Sequence, residues 1–388
     1  RSTLFPYTTL FRSRSPAYGG KGTYSDTVAL SYGGLRGKGK LDYLTSTVRT
    51  DKYIFMPDSM VAQSDTFFVR AEQDFPDIQN SSTLVRWYPY RDSMTVSQLQ
   101  NGPLFTMYQK QTLLAGRVTL QPKGAAATGT ATLHDGTLRS PWFTLHTTTM
   151  DANVTSFSLR SAKYDNIAFQ ANNMRSHVDY ENHTGQFNAN DSLSRTLLPA
   201  LGYAAWIDQY TWDWESLFLA LDNSHSMETG GMEALPLRER AKRMDKMGGA
   251  RFESTDPKLH NIKFSAIGSE YLYDELELTN RNVFALPIAD VLIAPPADTL
   301  HISQGGNMSM MHGAQVLASQ QNGNHLFYNC DVIVEHGKKY SAKGTIDYVA
   351  LDESRQPIYL TSIVPDGNGH TVAQGFVRSR SEERRVGK

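Results

Sequence analysis

The chain has one cysteine, Cys330, in 388 residues. An intramolecular disulfide is therefore excluded, and so is a thiolate-built zinc site, which needs several such ligands. No apolar run approaches the ~18 residues of a membrane-spanning helix. Net charge is almost nil: 38 Lys and Arg face 39 Asp and Glu, which gives no basic footprint for nucleic acid. The G-x-S-x-G elbow, the H-E-x-x-H helix and the Gly-rich dinucleotide loop are all missing. What is present is 19 Tyr, 17 Phe and 29 Gly, with many Thr, Ser and Asn. Such a composition favours strands and tight turns over helices.

The two ends stand apart from the rest. Arg1–Ser13 reads RSTLFPYTTLFRS and Arg380–Lys388 reads RSEERRVGK. The first resembles the conceptual translation of a short-read sequencing adapter, and the second its reverse complement. Segments of this kind are set aside before fold reasoning. The resemblance implies a piece of a longer chain, cut at both ends. The two tails carry six of the basic and two of the acidic residues, leaving 32 against 37, a net of −5.

The most informative pattern is internal. Val28–Arg70 aligns with Val118–Arg160 at an offset of 90 without a gap, and ten of the 43 positions are identical. Gly34/Gly124 and Gly39/Gly129 fall in register, and Thr50/Ser140 and Tyr53/Phe143 are conservative pairs. Lys343–Val349 (KGTIDYV) resembles Lys38–Leu44 (KGKLDYL), which adds a partial third copy around Gly344. A second unit links Ile167–Asp179 to Ile262–Asp274. Short alternating runs broken by Gly, Asp and Asn read as strands, and glycines at fixed places mark turns or close backbone approach. Units that cannot bury a face alone must stack. The expected fold is all-β, a repeat β-solenoid or an elongated sheet curled into a U-shaped trough, with a propeller ranked behind. One helical insertion is expected at Leu235–Met247, where Leu237, Ala241 and Met244 share a face and Gly230-Gly231 and Gly248-Gly249 flank it. The expected divisions are a β-repeat region over 16–225, a linker with the helix over 226–250 and a second repeat region over 251–377.

Five local patterns invite a chemical reading, and each has a plainer one. Gly34–Leu41 (GLRGKGKL) nearly spells a phosphate loop, but Leu41 stands where a magnesium-binding hydroxyl belongs, so a strand turn is expected. His177, Asp179 and His183 have metal-ligand types, with His177 and Asp179 on one strand face; an exposed strand is expected. Trp212-Asp213-Trp214-Glu215 offers a sugar platform with two carboxylates ~6.5 Å apart by strand rise; the plainer reading buries the tryptophans and leaves the acids in solvent. Cys330, in FYNCDVIV, is expected to be a buried inert thiol. The tripeptides starting at Asp26, Asp58, Asp92, Asp191 and Asp298 resemble the Asp-Ser/Thr-apolar acceptor of Bacteroidota envelope O-glycosylation, and turn chemistry explains them equally well.

A wider resemblance rests on Val85–Asp92 (VRWYPYRD), Leu104–Tyr108 (LFTMY), Leu113–Gly129, Phe252–Ala266 and Ala285–Pro295 (ALPIADVLIAP). These segments look like those of large Bacteroidota cell-envelope β-repeat proteins. The resemblance implies a non-enzymatic structural role in the cell envelope, periplasmic or outer-membrane associated, as scaffold, stalk or surface-binding module. It suggests envelope glycan, lipid or other envelope proteins as partners. No catalytic, cofactor-binding or metal-ligating residue is expected. The alternatives are a polysaccharide lyase or hydrolase on a β-helix, and a periplasmic trough for lipid or lipopolysaccharide. A trough could be lined by Val118, Leu120, Leu133, Phe143, Leu145, Phe157 and Leu159. Trp142, Trp206 and Tyr348 are the expected plugs of a filled interior.

Overall fold

A computed structural model describes residues 14–72, 74–191, 194–223, 231–244, 248–318, 325–349 and 354–376. Both terminal tails lie outside the described residues, as do Ser192 and Leu193 of one acceptor-like tripeptide and 245–247 of the expected helix. The protein is all-β with one short helical insertion. The chain divides into two compact units, interleaved in sequence. Unit one comprises Arg1–Leu159, Ala171–Asn190 and Thr211–Ser216; unit two comprises Arg160–Gln170, Asp191–Tyr210 and Leu217–Lys388.

Unit one is made of antiparallel ladders. Its strands are β1 (Ser15–Ala17), β2 (Gly22–Ser31), β3 (Gly34–Tyr43), β4 (Ser46–Phe55), β5 (Met60–Ser64), β6 (Thr66–Val69), β7 (Ile78–Asn80), β8 (Thr83–Tyr88), β9 (Ser93–Gln98), β10 (Phe105–Met107), β11 (Thr112–Gln121), β12 (Gly124–Leu133) and β13 (Gly136–Leu145). The long strands β14 (Thr149–Ser161) and β15 (Asn166–Asp179) follow, each divided between the units because Arg160–Gln170 belongs to unit two, then β16 (Thr184–Ala189). Strands β1 to β4 form a ladder, and β4 then splits it. Its Tyr53–Phe55 half pairs with β5, which leads through β8 to β9; its Ser46–Arg49 half pairs with β6, which leads through β7 to β10. The two branches meet again on β11, where Thr112–Leu114 pairs with β10 and Arg117–Leu120 pairs with β9.

The ladders coincide at a step of 90 residues. Ser15↔Tyr24 matches Phe105↔Leu114, Leu35↔Phe55 matches Ala125↔Leu145, and Val48↔Phe67 matches Leu138↔Phe157. The irregularities coincide as well. A bulge falls between Gly37 and Gly39 opposite β4, and another between Ala127 and Gly129 opposite β13. At each, the middle strand advances two residues while its partner advances three, which sets Asp51-Lys52 opposite Lys38 and Pro141-Trp142 opposite Thr128, one residue in surplus. The freed amides are capped in the same way: Lys52 N donates to Thr50 Oγ1 and Trp142 N to Ser140 Oγ, both at 3.1 Å. That explains why the aligned residues are Thr and Ser. Gly39 and Gly129 have φ of +137° and +134°, and a Cβ there would lie 2.2 Å from Ser25 O and 2.1 Å from Ala115 O. Only glycine fits such a backbone crossing.

The surplus residue reverses the alternation of the strand. In β13 the buried positions run 136, 138, 140 and then 143, 145, so Trp142 points outward and is 52% exposed. This corrects the expectation that it plugs the interior. Tyr348 is also exposed, at 56%, and Trp206 lies half-buried between the guanidinium groups of Arg195 and Arg251. The seven apolar residues named as a trough lining are nonetheless all buried, none more than 3% exposed. Phe187 stacks on Phe157 at 4.0 Å, and Trp212 lies 5.3 Å from Phe157 and 4.9 Å from Trp214.

Unit two holds strands β17 (Arg195–Leu198), β18 (Tyr203–Trp206), β20 (Phe218–Asp222), β21 (Ala250–Ser254), β22 (Lys263–Ala266), β23 (Gly268–Leu272), β24 (Glu277–Arg281), β27 (Leu300–Ser303) and β28 (Asn307–Met308), with β19 (Gln209–Asp213) shared across the division. Its second sheet has seven strands: β25 (Leu286–Ile288), β26 (Val291–Ala294), β29 (Met311–Ala318), β30 (His325–His336), β31 (Lys339–Val349), β32 (Arg355–Pro365) and β33 (Thr371–Gly375). Gly344 sits at a bulge of the same form, where Ala342 faces Ile363 and Gly344 faces Leu360. Here the close neighbour is a thiol, with Cys330 Sγ 2.4 Å from where a Cβ would be. Ile167–Asp179 and Ile262–Asp274 agree only in part. Phe169 and Phe264 are both buried, but the first segment is one strand while the second breaks at Ile267.

The helix α1 is one turn, Leu237–Ala241, following Pro236. Leu237 enters a core of Ala285, Leu292, Ala294 and Leu317, and Ala241 and Met244 pack against it. Arg240 fixes the turn: it bonds Leu235 O and Glu233 O, pairs with Asp298 at 2.5 Å and covers Phe284.

Candidate functional site

The candidate residues named from the sequence take part in local structure. Gly34–Leu41 lies within β3 and opens no helix; Lys40 pairs with Asp42 at 2.8 Å. The candidate metal group separates, with His177 Nδ1 2.7 Å from Asp151 Oδ1 and His183 Nδ1 2.7 Å from Glu215 Oε1. Asp179 accepts from Glu181 N, Asn182 N and Asn182 Nδ2, closing a turn. Burial alone would raise its pKa, but these bonds and the nearby His177 outweigh that and hold it below the ordinary carboxylate value. Among the described residues no group of three or more His, Cys, Asp and Glu is arranged to hold a metal ion.

Trp212 and Trp214 are buried, 0% and 7% exposed. Asp213 accepts from Glu215 N and Ser216 N, repeating the Asp179 turn. Its pKa is also lowered, the amide bonds outweighing burial. Glu215 pairs with His183. Cys330 is fully buried, and burial pushes its thiol up to about 11. Of the acceptor-like tripeptides, the one at Asp26 lies within β2, and those at Asp58, Asp92 and Asp298 lie at turns before strands. Asp26 has φ +96° and accepts from Thr27 Oγ1, Ser59 is 8% exposed and donates to Asp58, and Asp92 caps a one-turn 3-10 helix in the left-handed region.

The feature that sequence reasoning missed lies at the outer edge of β2. Strand β2 pairs with β3 along its length, but only Gly22–Tyr24 pairs with β1 on the other side. Among the described residues no strand pairs with the outer edge of Thr27–Ser31. Leu30 there is 77% exposed, Tyr32 is fully exposed, and Leu35 and Met56 are more than one-third exposed. Beside this edge is an apolar cleft of about 310 Å³, lined by Tyr18, Tyr24, Val28, Leu35, Phe55 and Met56. Its walls are fixed. Tyr24 OH donates to Thr27 O and Lys38 O at 2.9 and 2.7 Å, and Tyr18 OH donates to Met56 O and Ser59 O at 2.8 and 2.5 Å. Burial pushes both phenols up to about 12. Apart from Ser15 and the two hydrogen-bonded phenols the lining is apolar, and it suits apolar side chains. The signal in the sequence was the charge-free run Thr27–Ser31 (TVALS), since exposed edges ordinarily carry Lys, Pro or a bulge.

No protein-family model matches the chain, and no curated protein or solved structure matches it either.

Proposed function

We propose that the chain is a non-enzymatic β-repeat structural protein of the bacterial cell envelope, acting as a scaffold, stalk or surface-binding module within a longer protein. The observation that carries this reading is the coincidence of two five-strand ladders at a 90-residue step, down to bulge, cap and crossing glycine. Such duplication extends a surface. The polar residues support the same reading: Asp179, Asp213, His177 and His183 each serve a turn or a surface pair. Burial of the seven lining residues disfavours a lipid trough.

The test has two arms. Purified protein is incubated with a panel of acidic and neutral polysaccharides, and no depolymerisation is expected. Activity abolished by Asp213→Ala or Glu215→Ala would replace the proposal with an enzyme. Antibody against the chain is used to fractionate a Bacteroidota community, and the signal is expected with envelopes; a cytosolic signal would refute the location.

A further inference from the structure

The two ladders make a comparison within one molecule. Val28 and Leu30 of β2 correspond to Val118 and Leu120 of β11, and the residue types are identical. Val118 and Leu120 are fully buried, whereas Leu30 is 77% exposed. The difference has a visible cause. In the second ladder β9 lies along β11, pairing Arg117↔Ser97, Val118↔Val96, Thr119↔Thr95 and Leu120↔Met94. In the first ladder the corresponding run, Thr27–Leu30, has β1 beside its start and no counterpart of β9 among the described residues. The loop before β7 adds to the comparison. Asp74 reaches over Gly124, with its carbonyl 3.7 Å from where a Cβ would stand, while nothing lies within 4 Å of the corresponding Gly34. The cleft beside Gly124 is about 130 Å³ against about 310 Å³ beside β2.

We infer that the outer edge of β2 is a docking site for a β-hairpin of the β8–β9 kind, supplied by another repeat unit. Its inner strand runs antiparallel to Thr27–Leu30 and carries apolar side chains at alternate positions, as Met94 and Val96 do. Those side chains cover Val28, Leu30 and Leu35 and fill the cleft at Phe55 and Met56. Main-chain pairing supplies affinity and the alternating side chains supply register, as in strand addition generally. An open edge of uncharged residues is of the kind that pairs with an added strand. The inference rests on the repeat part of the proposed function and is independent of the envelope location.

The test uses hydrogen exchange on the full chain, with two probes. The first is a synthetic peptide spanning Thr83–Gln98. The second is an extended chain in which a further copy of 60–103 precedes Arg14, so that the hairpin is supplied in the same molecule even if the free peptide does not fold. Amides of Thr27–Ser31 are expected to slow by ~100-fold in the extended chain, approaching those of Arg117–Gln121. Leu30→Lys, harmless in the original chain, should then abolish the gain. An edge that stays labile in the extended chain overturns the inference. Protection by self-association of the chain alone, or by phosphatidylcholine–phosphatidylglycerol vesicles, would overturn it in favour of a second copy or a lipid surface. The repeat reading is scored separately by protection of β3–β4 and β12–β13, and it stands if those are protected while the edge is not.

Discussion

Gly129→Ala should be among the most damaging single-methyl additions available to this protein. The added Cβ would lie 2.1 Å from Ala115 O and 3.0 Å from Gly116 Cα, both backbone atoms of the neighbouring strand. Neither can step aside as a flexible side chain would. The φ of +134° adds a conformational cost of about 1–3 kcal/mol for a residue with a side chain, and forcing β11 from β12 adds about 1–3 kcal/mol of overpacking. A total near 4 kcal/mol lowers the melting temperature of a unit this size by about 8–16 °C. Gly39→Ala meets Ser25 O at 2.2 Å and Asp26 Cβ at 2.3 Å and should match it. Gly33→Ala is the control: its nearest neighbour would be Ser31 Oγ at 3.6 Å and its φ is not left-handed, so the change should be within about 1 kcal/mol of neutral. Near-ultraviolet circular dichroism melts of the three variants decide the matter. If Gly129→Ala melts with Gly33→Ala, the close crossing of β11 and β12 is not a real constraint.

Three further outcomes are expected. Tyr24 and Tyr43 are pushed up to about 12 by burial, so the fold favours their neutral form; that stability is intact below pH 10 and is lost as pH rises through 12, and the share of tyrosinate absorbance removed by Tyr24→Phe and Tyr43→Phe should appear together with unfolding rather than before it. Arg240→Met leaves Asp298 unpaired in a site where the two side chains are 11% and 16% exposed; a loss of about 3 kcal/mol in urea titration is expected, and the double variant with Asp298→Leu should recover much of it. Cys330 should resist a thiol reagent in native buffer at pH 8 and react once denaturant is added, and fast native labelling would contradict its burial.

How much of this was legible depended on whether a residue was constrained by backbone or by side-chain packing. Gly39 and Gly129 aligned because no other residue tolerates the crossing, and Thr50 and Ser140 aligned because each hydroxyl caps a bulge amide. Leu237, Ala241 and Met244 were placed on one face by helical spacing alone, and that face is the packed one, although the regular helix is only one turn. Trp142 was misplaced because strict alternation from Gly136 puts even positions inward, and a bulge has no signature in hydrophobic period. The splitting of the β4 ladder into two branches was not legible, because it depends on which halves of a strand find partners. The open edge of β2 was hidden for the opposite reason: its residues are those of a buried strand, and only the structure reveals that part of one side is uncovered.

The 90-residue step also bears on how the gene can change length. A deletion or duplication of one whole step by recombination between the two similar segments would join ladder positions that correspond, with inward side chains of β3–β4 and β12–β13 still inward. A change one residue longer or shorter would turn a strand inside out and would be removed by selection. Alleles of this protein should therefore differ in size by quanta of about 90 codons, and a size survey among related strains would read that quantum directly.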